Sequence, residues 1–112
     1  ILKLAHNDID NITAPVVIEA VKKHDKIACS IWNNAVHYLG ISAANIIQTF
    51  NPEMIVIGGG VSKAGDLLFK PLRKTAKKYS WDRCYKACSI VPAELGDNVG
   101  DLGAVSLVIN TV

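Results

Sequence analysis

Met54-Ile-Val-Ile-Gly-Gly-Gly-Val-Ser-Lys-Ala-Gly65 is the stretch on which the fold of this chain turns. Four apolar residues predict a short strand, Met54–Ile57, and Gly58, Gly59 and Gly60 after it predict a sharp turn into a helix. A turn of this kind sets bare backbone beside a helix N-terminus, where a nucleotide or another anion can approach without meeting a Cβ atom. With apolar residues directed to both faces, the run suits a central parallel strand covered on either side. Taken alone, the pattern fits a tight turn with no ligand as readily as a nucleotide site. Of two known phosphate cradles, one fails and the other is weak. A Walker loop needs Lys and Ser or Thr after its last glycine, whereas Gly65 is followed by Asp66 and Leu67. A dinucleotide fingerprint starting at Gly58 would need glycine where Lys63 stands, and no acidic residue lies at the distance that holds a ribose.

Working outward from the turn, helices dominate. Thr13 followed by Pro15 marks a helix start, and Val16, Val17, Ala20 and Val21 give that helix an apolar face as far as His24. Asp25 can cap the next helix, where Ala28, Ile31, Trp32, Ala35, Leu39, Ala43, Ile46 and Phe50 recur mostly at steps of three and four. Gly40 interrupts it, which predicts a bend or a close helix contact, and Asn51-Pro52 stops it. Residues 62–79 form the helical region after the glycines, with Leu67, Leu68, Leu72 and Ala76 inward and Lys70, Arg73, Lys74, Lys77 and Lys78 outward. Pro71 is expected to kink or break that helix. Residues 88–91 read as a second strand ending at Pro92, and residues 97–112 as a closing helix so apolar that it must be largely buried. Two strands joined by a helix predict a parallel unit.

The 112 residues make one domain at most, half of them apolar and a fifth charged. No segment reaches the roughly 18 uninterrupted apolar residues of a membrane span, and no leader pattern opens the chain, so it reads as cytoplasmic. A formal charge of +2 is too weak and too scattered to argue for nucleic acid by itself, and three cysteines suit a reducing compartment. With Ile1 first and no strand pattern in the opening dozen residues, the chain reads as a piece of something longer.

The other chemical groups favour plain structural roles. Asp97 and Asp101 lie four apart but suit the first turn of a helix, where carboxylates complement the dipole. Cys84 and Cys88 have a spacing zinc sites can use, yet nothing nearby completes four ligands, so no metal site is expected; Cys29 reads as core. His6, His24 and His37 are scattered, and the basic stripe from Lys70 to Lys78 reads as a solvated helix face.

Tyr38-Leu-Gly-Ile-Ser-Ala-Ala-Asn-Ile-Ile-Gln-Thr-Phe-Asn-Pro-Glu-Met-Ile-Val-Ile-Gly-Gly-Gly-Val-Ser, then Gly65-Asp-Leu-Leu, Pro71-Leu-Arg, Ile90-Val-Pro-Ala and Leu95-Gly-Asp-Asn-Val-Gly-Asp-Leu-Gly-Ala, resemble the C-terminal part of the ROK family. That family comprises bacterial sugar kinases, glucokinases among them, and sugar-responsive repressors. The resemblance implies an α/β fold, the C-terminal part of a ribonuclease-H-like lobe of the actin, hexokinase and chaperone-ATPase type. Two parallel strands pack with helices there, the N-terminal strands are missing, and residues 1–112 form one partial domain. It makes Gly58, Gly59, Gly60 and Val61 the loop that approaches the adenosine of ATP. Gly96, Gly100 and Gly103 permit close approach of the closing helix near the hinge, where Asp101 departs from the apolar residue of many relatives.

The resemblance also shows what to look for and not find. A ROK kinase is expected to carry phosphate loops, an aspartate acting as general base and a cysteine-rich zinc segment, and none of these patterns occurs in this sequence. Two parents remain open. One is an ATP- and Mg2+-dependent hexose kinase, glucokinase-like and acting on the sugar 6-hydroxyl, of which this chain alone would be inactive. The other is a sugar-responsive repressor, the only case in which nucleic acid is a partner. A remnant without activity is a third reading. A homo-oligomer is the default for the parent, and the strand Met54–Ile57 is expected to expose an open edge that the missing N-terminal part or another copy covers.

Overall fold

Asp25 and Asn51 bracket the longest element. In the computed structural model, which describes residues 1–94 and 104–109, the Asp25 carboxylate accepts a hydrogen bond from the Ala28 N–H at 2.9 Å. Helix α2 then runs Lys26–Phe50 and ends on Asn51 in the left-handed conformation, φ 47°, which asparagine tolerates better than most residues. Helix α1, Ala14–Lys22, precedes it, with Pro15 in the first turn where a missing N–H goes unnoticed. Strand β1 is Met54–Ile57, followed by a 3-10 segment Gly60–Ala64, helix α3 Asp66–Tyr79, a short helix α4 Asp82–Lys86 and strand β2 Ser89–Pro92. Nothing in the sequence reading corresponds to α4 or to the 3-10 turn Ile9–Asn11. The strands pair in parallel, Met54 opposite Ser89 through Ile57 opposite Pro92, so the α/β architecture of two parallel strands packed with helices stands. No helix among the described residues is long and apolar enough to cross a membrane.

The core lies where α2 meets α3. Ala28, Trp32, Val36, Ala43 and Ile47 of α2 are buried against Leu68, Phe69, Leu72 and Ala76 of α3, and Ile90 of β2 joins them. Gly40 marks the closest approach: a Cβ there would stand 2.6 Å from Thr75 Cβ and 3.2 Å from the Leu72 carbonyl oxygen. Of the two readings of Gly40, the close helix contact is therefore the one found. The expected apolar stripe on α2 needs correction, because Ile31, Ala35, Leu39, Ile46 and Phe50 are exposed while Val36, Ala44 and Ile47 are buried. Apolar residues cover more than one face of this helix, and α3 occupies only one. On α1, Ile18 is buried with Ala20 and Val21, while Val16 and Val17 are half-buried.

Pro71 does not break its helix. The break falls at Gly65, where φ is 60°, and α3 continues through Pro71. A proline deprives the carbonyl four residues earlier of its donor; that carbonyl, on Leu67, accepts instead from the Trp32 indole N–H at 3.2 Å. Arg73 is likewise not a solvated outward cation, since its Nε and Nη2 both donate to the Ile90 carbonyl, at 3.0 and 2.6 Å.

Two expectations of burial are overturned. β1 is covered on one face only: Ile55 and Ile57 pack toward the core, while Met54 and Val56 are 55% and 56% exposed. Residues 104–109 are helical, as expected, but Val105, Leu107, Val108 and Ile109 are all more than half exposed. An apolar helix is buried only where other surface meets it, and the described residues supply too little around this one. Positions 95–103 and 110–112 lie outside the described residues, and with them Gly96, Asp97, Gly100, Asp101 and Gly103.

Candidate functional site

Gly59 takes φ 85°, a conformation that a side chain would strain. Its carbonyl closes the turn by accepting from the Ser62 N–H at 3.2 Å and the Ser62 hydroxyl at 2.6 Å. The strand end is held in place because the Ala93 N–H donates to the Ile57 carbonyl at 3.0 Å. Ideal Cβ atoms built on Gly59 and Gly60 meet nothing within 4 Å, and Gly58, Gly59, Gly60 and Val61 are all exposed. The backbone is therefore open to solvent. One part of the expectation fails: the glycines lead into the five-residue 3-10 segment Gly60–Ala64, not directly into an α-helix. The positive end of α3 begins only at Asp66, after the stop at Gly65, so its dipole does not act at the glycine turn itself.

Across from the turn stands a wall that the sequence reading did not assign. Pro15, Ile18, Glu19 and Lys22 of α1 face Gly60, Lys63 and Ala64 over a cleft of about 310 Å³. Their spacing places all four on one face of α1. Pro15 and Ile18 offer apolar contact, and Glu19, paired with Lys23 at 2.9 Å, brings a carboxylate to the rim. The cleft thus lies between the α1 face and the 3-10 segment that begins at Gly60, with charges of both signs at its edge. Of the expected site residues, Gly60 lines this cleft and Gly58, Gly59 and Val61 do not. Such a shape admits a flat ring against the apolar wall and a polar group against Gly60.

The remaining candidates stay apart from the cleft. The His37 ring meets Tyr38 and Tyr79 edge-on, each at 5.9 Å between centroids, and His6 and His24 sit at positive φ in turns. Cys29, Cys84 and Cys88 are half-buried free thiols packed against the core; burial pushes the Cys88 thiol above its ordinary pKa, opposed in part by a hydrogen bond with the Ile55 backbone. Among the described residues no three of His, Cys, Asp and Glu gather as metal ligands would. On the basic stripe of α3, Lys70 pairs with Asp66 at 3.8 Å.

This fold is similar to that of a ROK family glucokinase from Streptomyces griseus, solved in complex with glucose and AMPPNP. The two superpose with a TM-score of 0.80 at 28% identity, over 95% of this chain and 34% of that one, which makes the fold part of a ribonuclease-H-like lobe. The family described as ROK matches residues 1–111, and the chain belongs to it. A glucokinase of Halalkalibacterium halodurans is 40% identical over 87% of this chain and 29% of its own length. A xylose repressor of Caldicellulosiruptor bescii is 28% identical over 96% of this chain and 27% of its own. The chain thus spans roughly a third or less of each of these three relatives.

Proposed function

We propose that this chain is the adenosine-binding segment of an ATP-dependent hexose kinase, glucokinase-like and transferring phosphate to the sugar 6-hydroxyl. The carrying observation is the open backbone at Gly59 and Gly60, where nothing lies within 4 Å of a Cβ position; Gly60 also borders the cleft of about 310 Å³ against the α1 face. Gly58, Gly59, Gly60 and Val61 would form the wall toward the nucleoside, and Pro15, Ile18 and Glu19 the opposite one. The 40% identity to a glucokinase and the likeness to a glucokinase bound to AMPPNP support this reading. Bound ATP with Mg2+ would supply the transferable phosphoryl group; this chain's part is to hold the nucleoside end. Phosphoryl transfer depends on positioning and on charge around the phosphoryl group. The 112 residues, one partial domain of such an enzyme, offer no phosphate loop and no candidate general base, so the chain alone is inactive.

The alternative parent is a sugar-responsive repressor of the same family, a reading favoured by the xylose-repressor relative. A chimera separates the two. Replacing the matching segment of the Halalkalibacterium halodurans glucokinase with this chain should leave an enzyme that phosphorylates glucose with ATP. A folded chimera without turnover, and with no affinity for ADP, would overturn the kinase reading.

A further inference from the structure

The formal charge of +2 conceals a segregation. Residues 70–86 hold seven of the twelve Lys and Arg and a single acidic residue, Asp82, so the rest of the chain is net negative. Arg73 is turned inward onto the Ile90 carbonyl, whereas Lys70, Lys74, Lys77, Lys78, Arg83 and Lys86 are exposed. Steps of three and four put Lys70, Lys74 and Lys77 on one face of α3, opposite the buried Leu68, Leu72 and Ala76. Acidic neighbours offset little of this charge. Asp82 pairs with Lys86 at 2.8 Å and Asp66 with Lys70 at 3.8 Å, both exposed contacts of the kind that water screens. Aromatic rings stand among the cations where α3 gives way to α4. Tyr79 is 44% exposed, with the Lys78 ammonium 5.5 Å from its ring centroid, and Trp81 is 74% exposed between Lys78 and Arg83.

We infer that this face of α3 and α4 binds single-stranded nucleic acid, with Lys74, Lys77, Lys78 and Arg83 on phosphates and Trp81 on a base. Cations alone suit any polyanion, but flat rings among them favour one whose bases are unstacked and free to pack on them. A duplex keeps its base faces stacked inside, and an acidic peptide has none. A lipid surface fits poorly too, because the apolar face of α3 is already spent in the core and none is left to enter the headgroup layer. The stripe that reads as a solvated face in the sequence is thus part of a larger patch, completed by Trp81 and Arg83 beyond the helix end. None of these residues lines the cleft across from the glycine turn, so the inference holds whether or not that cleft takes adenosine.

The test titrates the full 112-residue chain into a fluorescein-labelled single-stranded DNA of about 12 nucleotides, read by anisotropy at low salt. Binding should saturate, and the logarithm of the affinity should fall with that of the salt concentration at a slope of about −3, the value for four phosphates neutralised on a single strand. Stacking should quench the fluorescence of Trp81, since Trp32, the other tryptophan, is buried. Trp81→Ala should weaken binding about tenfold, and Lys74→Glu combined with Lys77→Glu about tenfold or more. Both variants should keep the wild-type melting temperature, because all three side chains are exposed. Should the charge-reversed variant fail to fold, Trp81→Ala and the salt slope decide. Absence of saturable binding, undiminished affinity in Trp81→Ala, tighter binding of the duplex of the same sequence, or equal displacement by polyglutamate or by anionic vesicles would each overturn the inference. Displacement by ADP would also overturn it, since the strand would then occupy the cleft; a chain that does not bind ADP at all leaves the other readouts unaffected.

Discussion

At Gly40, a methyl group would stand 2.6 Å from Thr75 Cβ, closer than carbon atoms pack. Alanine is the better helix former by roughly 1 kcal/mol, yet Gly40→Ala should destabilise the chain by roughly 1–3 kcal/mol through overpacking, read from urea denaturation midpoints. Asp25 gives a prediction in pH. The Ala28 N–H, and after it the Ile1 amine, hold the Asp25 carboxyl below its ordinary value of 3.8. A depressed folded-state pKa stabilises the fold above the unfolded value, and that stabilisation is lost as pH falls through the folded one. The stability advantage of wild type over Asp25→Ala should therefore be full above pH 3.8 and shrink progressively below it, as thermal melts across that range would show. Roles of this kind are legible when they are local. Asp25, Asn51 and the run Met54–Ile57 announce themselves because a cap, a left-handed stop and a four-residue apolar strand need only their neighbours in sequence. The tightness at Gly40 was legible as one of two options, since its cause, Thr75, lies far along the chain.

Between elements, the contact of α2 with α3 turns on a repaired hydrogen bond. The Trp32 indole supplies the Leu67 carbonyl with the donor that Pro71 withholds. Trp32→Phe should cost roughly 1–3 kcal/mol for the buried acceptor left unpaired, on top of any packing change. In a Pro71→Ala background the helix provides its own N–H, and the cost should fall by at least half; equal costs in both backgrounds, measured as a double-mutant cycle, would refute the assignment. Sequence period alone could not foresee this. It marks Pro71 as a breaker without knowing that a tryptophan on another helix can substitute for the lost donor. It also finds apolar residues on α2 without knowing which of them α3 will cover. The candidate site divides the same way: Gly58, Gly59, Gly60 and Val61 stand out as a run, whereas Pro15, Ile18 and Glu19 face Gly60 only because α1 folds across the segment that follows the turn.

For the whole molecule, unequal coverage is the governing feature. Met54 and Val56 on the sheet, Ile31 and Phe50 on α2, and Leu107 and Ile109 are all more than half exposed, a distribution expected of a surface that other protein covers. A chain of this kind, matched to about a third or less of its relatives, should show no glucose phosphorylation in a coupled assay when purified alone; clear turnover would contradict the role assigned to it. It should nevertheless keep its share of the proposed nucleotide site, because the glycine turn and the α1 face both lie within it. The most direct measurement is an amide NMR titration of the chain with ADP, run in parallel on Gly60→Leu, which fills the open backbone without imposing a positive φ. The account predicts shifts at Gly59, Gly60, Ile18 and Glu19 in the wild type and their loss in the variant at unchanged stability. Shifts confined to other surfaces, or an undiminished response from Gly60→Leu, would contradict it.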